Sequence, residues 1–222
     1  MEDGKDTFSS KGTGQDTQKS SAHSKQEWRP GNMLYPLPAV LVSCGSPDGK
    51  INVMTAAWTG TVCSDPPMLY VSVKKERFSH SILKETGEFY INLTTRPLSK
   101  AVDWCGVKSG RSLDKFREMG LTPVMGCLAY APMIAESPVC IACRVTQILE
   151  LGSHDMFLAK VDAVYVDEAY MDERGSFDLS KADPIVYSHG QYYALGEHLG
   201  RFGFSVQKKK GGKPRKKKPG KN

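Results

Sequence analysis

Two runs near the middle of the chain decide the fold. They are Val139-Cys140-Ile141-Ala142-Cys143-Arg144-Val145-Thr146-Gln147-Ile148-Leu149-Glu150-Leu151 and, after Gly152-Ser153-His154, the return from Asp155 to Val166. Both read as long strands, and the second alternates around Val161 and Ala163 as a half-buried strand does. Upstream, Ala39 to Cys44 is an apolar strand closed by Ser46-Pro47-Asp48-Gly49, with proline and glycine where a tight turn wants them, and Ile51 to Thr55 returns as its hairpin partner. Pro67 to Val73 and Glu88 to Leu93 are further strands.

Helical signals are short and separate the strands. Ser79 is placed to cap His80 to Thr86 with Gly87 at the end, Thr95 to cap a helix running to about Trp104 with Pro97 in its first turn, and Leu113 to Met119 stops at Gly120. Strands interrupted by short helices do not make a parallel βαβ sheet. The expected fold is mainly β, an antiparallel barrel with helices packed on its outside.

The 222 residues carry a formal charge of +6, but its placement matters more than its size. Nine basic residues and no acidic one lie between Lys208 and Lys221, whereas residues 28–207 hold 17 basic and 19 acidic side chains. The body is slightly acidic, so the excess says nothing about its ligand. Residues 1–27, almost free of apolar side chains, and the Lys/Gly/Pro tail 208–222 are expected to be disordered around one domain at 28–207. Gly12-Thr13-Gly14 has no strand before it and no helix after it, so it carries no nucleotide signal.

No window is apolar enough for a membrane span and the start lacks a signal-peptide core, so a soluble cytoplasmic protein with reduced thiols at its six cysteines is expected. Asn92-Leu93-Thr94 matches a glycosylation sequon, but without secretion it carries no such meaning. Cys140 and Cys143 have the spacing of a metal or redox pair. In a strand they point to opposite faces and no further ligands accompany them, so no metal site is expected.

Three segments are candidates for chemistry. Lys74-Lys75-Glu76-Arg77-Phe78-Ser79-His80 follows a strand and opens a helix, a natural anion site with a forked guanidinium, or else a solvated turn with a plain cap. Asn52-Val53-Met54-Thr55-Ala56-Ala57-Trp58-Thr59 sets small and hydroxyl-bearing residues beside one aromatic where a strand gives way to a loop. That suits a flat heterocycle, or simply a buried tryptophan. Cys105 to Phe116, with Gly106, Ser109, Gly110, Arg111 and Ser112, is a ligand-contacting loop or an interhelix connection. His189 and Tyr192-Tyr193 close over a site or pack; packing is favoured, and His23 and His198 have no partner by spacing.

The ordered series N-V-M-T-A-A-W, S-D-P-P, R-F-S-H, E-F-Y-I-N-L, C-G-V-K-S-G-R-S-L-D-K-F, E-S-P-V-C-I-A-C, G-S-H and Y-Y-A-L-G resembles the flavin reductase-like family over about residues 32–204. The nearest subgroup contains flavoredoxin and archaeal ferric reductase. The resemblance implies an FMN-binding split β-barrel, homodimeric, with FMN near the subunit interface. It implies that Asn52, Thr55, Ala56, Ala57 and Trp58 line the ring and that Ser64 approaches the ribityl chain or ring edge. Arg77, Ser79 and His80, with Lys74 or Lys75, would hold the phosphate. Asn92 would pass the flavin, and His154 would contact flavin or nicotinamide. The turn here is G-S-H, where nicotinamide-dependent members commonly carry G-D-H, which leaves the donor open between NADH, NADPH and a redox protein. The implied activity is FMN-dependent electron transfer to a flavin, a ferric complex or a protein acceptor. The alternatives are a flavoredoxin-like carrier without NAD(P)H activity of its own and, through the tail alone, weak association with nucleic acid or another polyanion.

Overall fold

A computed structural model describes residues 24–207. The expectations for residues 1–23, including Gly12-Thr13-Gly14 and His23, and for the tail 208–222 lie outside the described residues. Residues 24–33 have no regular structure and form a unit of their own; the body begins at Leu34.

In chain order the body contains β1 (Leu37–Pro38), β2 (Val40–Gly45), β3 (Ile51–Ala56), β4 (Thr59–Ser64), β5 (Pro67–Lys74), α1 (Phe78–Thr86) and β6 (Glu88–Leu93). After a short 3-10 turn at Arg96–Leu98 come α2 (Ser99–Val107), α3 (Lys115–Met119), β7 (Pro123–Met125) and β8 (Pro132–Ile134). The long pair β9 (Val139–Leu151) and β10 (His154–Val166) follows, then β11 (Ile185–Ser188) and β12 (Gln191–Ala194). The main sheet has seven antiparallel strands in the order β3-β2-β6-β9-β10-β5-β4.

That sheet wraps around one core. Val40 and Val42 of β2, Met54 and Ala56 of β3, Val71 and Val73 of β5, Phe89 and Ile91 of β6, Cys143 of β9 and Phe157 and Ala159 of β10 form a single buried cluster. Strands from both ends of the sheet therefore face the same interior. Curvature comes from irregular register between β9 and β10 at Leu158/Ala159 and Val161/Ala163, since each bulge bends its strand. The edge strands β3 and β4 do not pair with each other although only Ala57 and Trp58 separate them in sequence. The barrel is left open at that bend, where the Trp58 carbonyl accepts from Ser72 N at 2.8 Å.

The opposite face of β2 and β3, carrying Leu41 and Val53, packs under α2 and α3 through Val102, Cys105 and Phe116. Those two helices lie outside as expected. Helix α1 departs from the expectation, because Ile82 and Leu83 belong to the interior cluster. Strand β4 and the hairpins β7–β8 and β11–β12 were not anticipated. Cys143 joins the interior cluster and Cys140 a separate outer one, so the pair diverges as strand geometry requires. Burial pushes the Cys140 thiol up to about 11 and the Cys143 thiol up as well.

Asn92 lies within the sheet, where it is fully buried. Its Nδ2 donates to Leu41 O and Ser43 Oγ, both at 2.9 Å, and its Oδ1 accepts from Ile134 N at 3.0 Å, all fully buried. The amide ties β6 to β2 and to β8, which is why an asparagine sits in an apolar strand. Asn92→Ala orphans a buried N–H and should lower stability by about 1–3 kcal/mol, read as a reduced urea midpoint at unchanged slope.

Candidate functional site

The bend at Ala57-Trp58 opens a cavity of about 440 Å³. One wall is Thr55 to Trp58. The facing walls are Ser72 to Lys74 of β5, Arg77, the end of α2 (Asp103, Gly106, Val107), His154, and the β11–β12 hairpin with Tyr187 and Tyr192. Small residues keep it open: Ala56 and Ala57 present only methyl groups, and a Cβ on Gly106 would press within 3.3 Å of Thr55. The Thr55 hydroxyl donates to Val102 O, so it ties β3 to α2. Trp58 and His154 stack with ring centroids 4.4 Å apart at 37°. Ser153 Oγ lies 2.9 Å from His154 Nδ1, and burial together with the Lys74 charge lowers the imidazole's pKa, which favours the neutral ring.

A second pocket of about 240 Å³ continues from the first, sharing Met54, Lys74, Arg77 and Val107. Its remaining walls are Asn52, Glu76, Phe78, Ser79, Lys108, Ser109, Gly110 and Lys115. Four cations, Lys74, Arg77, Lys108 and Lys115, face one carboxylate, Glu76, beside the N-terminus of α1. This is the chemistry of an anion pocket. Arg77 immediately precedes α1, and its Nη1 donates to Gly106 O at 2.6 Å, which aims the guanidinium and leaves its other donors free. Ser79 does not cap α1; Arg77 occupies that position, and Ser79 Oγ accepts from Asn52 Nδ2 at 2.7 Å. That bond ties β3 to the first turn of α1. A Cβ on Gly110 would collide with the Asn52 amide, so the loop can approach only as glycine.

The structure brings Thr55, Ala56, Ala57, Trp58 and His154 to the first cavity, Asn52 and Ser79 to the second, and Lys74 and Arg77 to both. Ser64, Lys75, His80 and Asn92 stand apart. Ser64 ends β4 on the exposed edge opposite Pro67. His80 Nε2 lies 2.8 Å from Asp155 Oδ2, and Lys75 Nζ lies 3.3 Å from Asp155 Oδ1, so both turn to a buried carboxylate rather than to either pocket. Sequence reasoning singled out the 105–116 loop but not Lys108 and Lys115 within it, it missed Asp103 and Tyr187, and it favoured packing for Tyr192, which lines the first cavity. Among the described residues no cluster of His, Cys, Asp or Glu could hold a metal, and no helix is long and apolar enough to cross a membrane.

At the mouth of this open antiparallel barrel an aromatic-sided cavity adjoins a cationic pocket, the chemistry of a small-molecule site with an anion-binding end. The chain belongs to the flavin reductase-like family: the profile described as "Flavin reductase like domain" matches residues 32–196. Among solved structures, flavoredoxin of Desulfovibrio vulgaris (Miyazaki F) is 33% identical and superimposes with a TM-score of 0.76, covering 83% of this chain and 100% of that one. Flavoredoxin of Methanosarcina acetivorans is 30% identical with a TM-score of 0.75 over the same shares. A protein of Aeropyrum pernix is 33% identical over 156 residues, 70% of this chain and 58% of that protein.

Burial alone would raise the Asp155 carboxyl, but the His80 hydrogen bond and the Lys75 ammonium outweigh it and hold the group below the usual range. A carboxyl depressed on folding stabilises fully above its unfolded value of about 4, and the contribution is lost as pH falls through the folded value. Asp155→Asn should therefore be less stable than wild type at neutral pH and lose less stability on acidification below about pH 4. Parallel acid-denaturation curves for the two proteins would contradict this.

Proposed function

We propose that the protein is an FMN-dependent oxidoreductase of the flavin reductase-like type, passing electrons through bound FMN to a flavin, a ferric complex or a protein acceptor. One observation carries the reading: the cavity beside Trp58 and the cationic pocket adjoin, sharing Met54, Lys74, Arg77 and Val107 as a common wall. The residues fit the cofactor. The first cavity falls within the ~300–1,000 Å³ of small-molecule sites and offers apolar walls with an aromatic side, and the second supplies cations and a helix N-terminus for a phosphate.

In this reading Thr55 to Trp58 hold the ring face. Arg77, Lys74 and Ser79 hold the phosphate, and Asn52 fixes Ser79 in place. When bound, FMN supplies hydride acceptance and one- or two-electron donation. The protein positions it, shields it and leaves access along the Trp58–His154 side, where a nicotinamide or an acceptor would approach. A neutral His154 contacts that partner without adding charge.

A second reading is a flavoredoxin-like carrier without NAD(P)H activity of its own. It is favoured by the Gly152-Ser153-His154 turn and by the likeness to the two flavoredoxins. We also propose a homodimer. Met68, Tyr70, Met156 and Leu158 stand half-buried on the outer side of β5 and β10, next to the cavity, while the helices cover β2 and β3 instead. The basic run 208–221 adds, as a separate proposal, weak salt-sensitive binding of polyanions.

Purified protein should take up FMN and turn yellow. Arg77→Ala should weaken FMN by about 1.5–3 kcal/mol, some ten- to a hundredfold, with folding nearly unchanged. Protein that takes up no FMN, or full-strength binding by the variant, would contradict this assignment. Stopped-flow mixing with NADH and NADPH separates the two readings: fast bleaching of the flavin supports the reductase, and none supports the carrier. Sedimentation should give twice the 24.4 kDa chain mass, and a monomer would remove the dimer.

A further inference from the structure

A further cavity, of different chemistry, lies where β10 finishes. Its volume is about 240 Å³, and among its walls are Val124 of β7, Met133 and Ile134 of β8, Cys140 of β9 and Tyr165 and Val166 of β10. His154 opens β10 at the cleft described above. Tyr165 stands near the other end of that strand, roughly 35 Å further along it at the rise of an extended chain.

Ser137, between β8 and β9, lines this cavity. It is 5% exposed, and its Oγ makes no hydrogen bond among the described residues. The Ile134 carbonyl is already taken, accepting from Ser137 N at 3.1 Å and from Cys140 Sγ at 3.5 Å, so both its lone pairs are used. A buried hydroxyl left unpaired is destabilising. Water satisfies it poorly, because each buried water seeks about two to four polar partners, and these walls are mostly methyl groups, a thioether and an aromatic ring.

Tyr165 is held as a fixed aromatic wall. Its hydroxyl accepts from Cys127 N at 3.1 Å, and its ring leans on Tyr90 with centroids 6.2 Å apart at 57°. No lysine or arginine among the described residues lines the cavity. Asp167 lines it, with one carboxylate oxygen accepting from Ala169 N at 2.9 Å. Glu136, next to Ser137, accepts from Thr122 N at 3.1 Å, and neither acid is ion-paired among the described residues.

We propose that this cavity is a second small-molecule site, separate from the cleft, for a single aromatic ring that carries a hydroxyl group. The ring packs against Met133 and Tyr165, and the hydroxyl pairs with Ser137. The two carboxylates favour a ligand whose other substituent is cationic and disfavour an anionic one. Tyramine is the simplest molecule of that class. Size agrees: an apolar cavity of about 150 Å³ already holds benzene, and the hydroxyl and a short ammonium arm use the remainder. The proposal does not depend on the FMN reading.

Calorimetric titration of the full chain with tyramine, phenethylamine, phenol and 4-hydroxybenzoate tests it. Wild type should bind tyramine more tightly than phenethylamine, which lacks the hydroxyl, by about two- to tenfold, the net worth of one neutral hydrogen bond. Phenol, without the ammonium, should bind about two- to fivefold more weakly than tyramine, and 4-hydroxybenzoate more weakly than phenol. Ser137→Ala should bind tyramine and phenethylamine alike, and it should melt at or above the wild-type temperature because an orphan hydroxyl has gone. Wild type that binds no tyramine, or that fails to prefer it to phenethylamine, would overturn the proposal even if the variant did not fold. So would 4-hydroxybenzoate binding as tightly as phenol, a Ser137→Ala variant with undiminished preference for tyramine, or competition between tyramine and FMN, which would put the amine in the cleft.

Discussion

The sheet fails to close between β3 and β4, and the rest of the site depends on that failure. Strands joined by two residues would ordinarily pair as a hairpin. Here Ala57 and Trp58 instead carry the chain from one edge of the sheet to the other, around the barrel mouth. Had the edges paired, ladder hydrogen bonds would fill the space now lined by Thr55 to Trp58. Two ties hold the opening from the β3 side: Thr55 to Val102 on α2, and Asn52 to Ser79 on α1. Each secures an edge strand to a helix rather than to another strand.

Those helices also set the electrostatics. Helix α1 is plugged into the interior by Ile82 and Leu83, which points its N-terminus at the cavity rather than at solvent. Beneath it, His80 and Lys75 converge on Asp155, adjacent in sequence to His154. The first turn of α1 is thereby anchored to β10 as well as to β3. The positive groups facing the second pocket are thus fixed in place, and only Glu76 opposes them there. A rigid, underneutralised pocket at the end of a flat cleft is an arrangement that a folded chain holds at a cost and that an anionic ligand relieves.

Much of this was legible in the residues. Pro47, Asp48 and Gly49 marked the β2–β3 turn, in which Gly49 takes φ 83°, and Gly87 and Gly120 end their helices in the left-handed conformation. The small residues at 55–57 and the Arg77 helix start pointed to the two halves of the cleft. What spacing left out has one cause: local pattern does not reveal a distant partner. Ser79 looked like a cap because Asn52, 27 residues earlier, is invisible to spacing. The partner of His80, Asp155, lies 75 residues on, so spacing could not show their contact. Nothing local to Asn92 shows that Leu41, Ser43 and Ile134 surround its amide. Lys115, beside the core residue Phe116, was not singled out, and only the packing of α3 under β3 buries it. Strand β4 was missed because a half-exposed edge strand carries little alternation.

A crystal structure of the protein grown with FMN tests the account most directly. The account predicts the ring against Thr55 to Trp58 and the phosphate within hydrogen-bonding distance of Arg77 in the pocket at the start of α1. A ring in the cleft with its phosphate turned out to solvent, or a flavin bound elsewhere on the barrel, would contradict it.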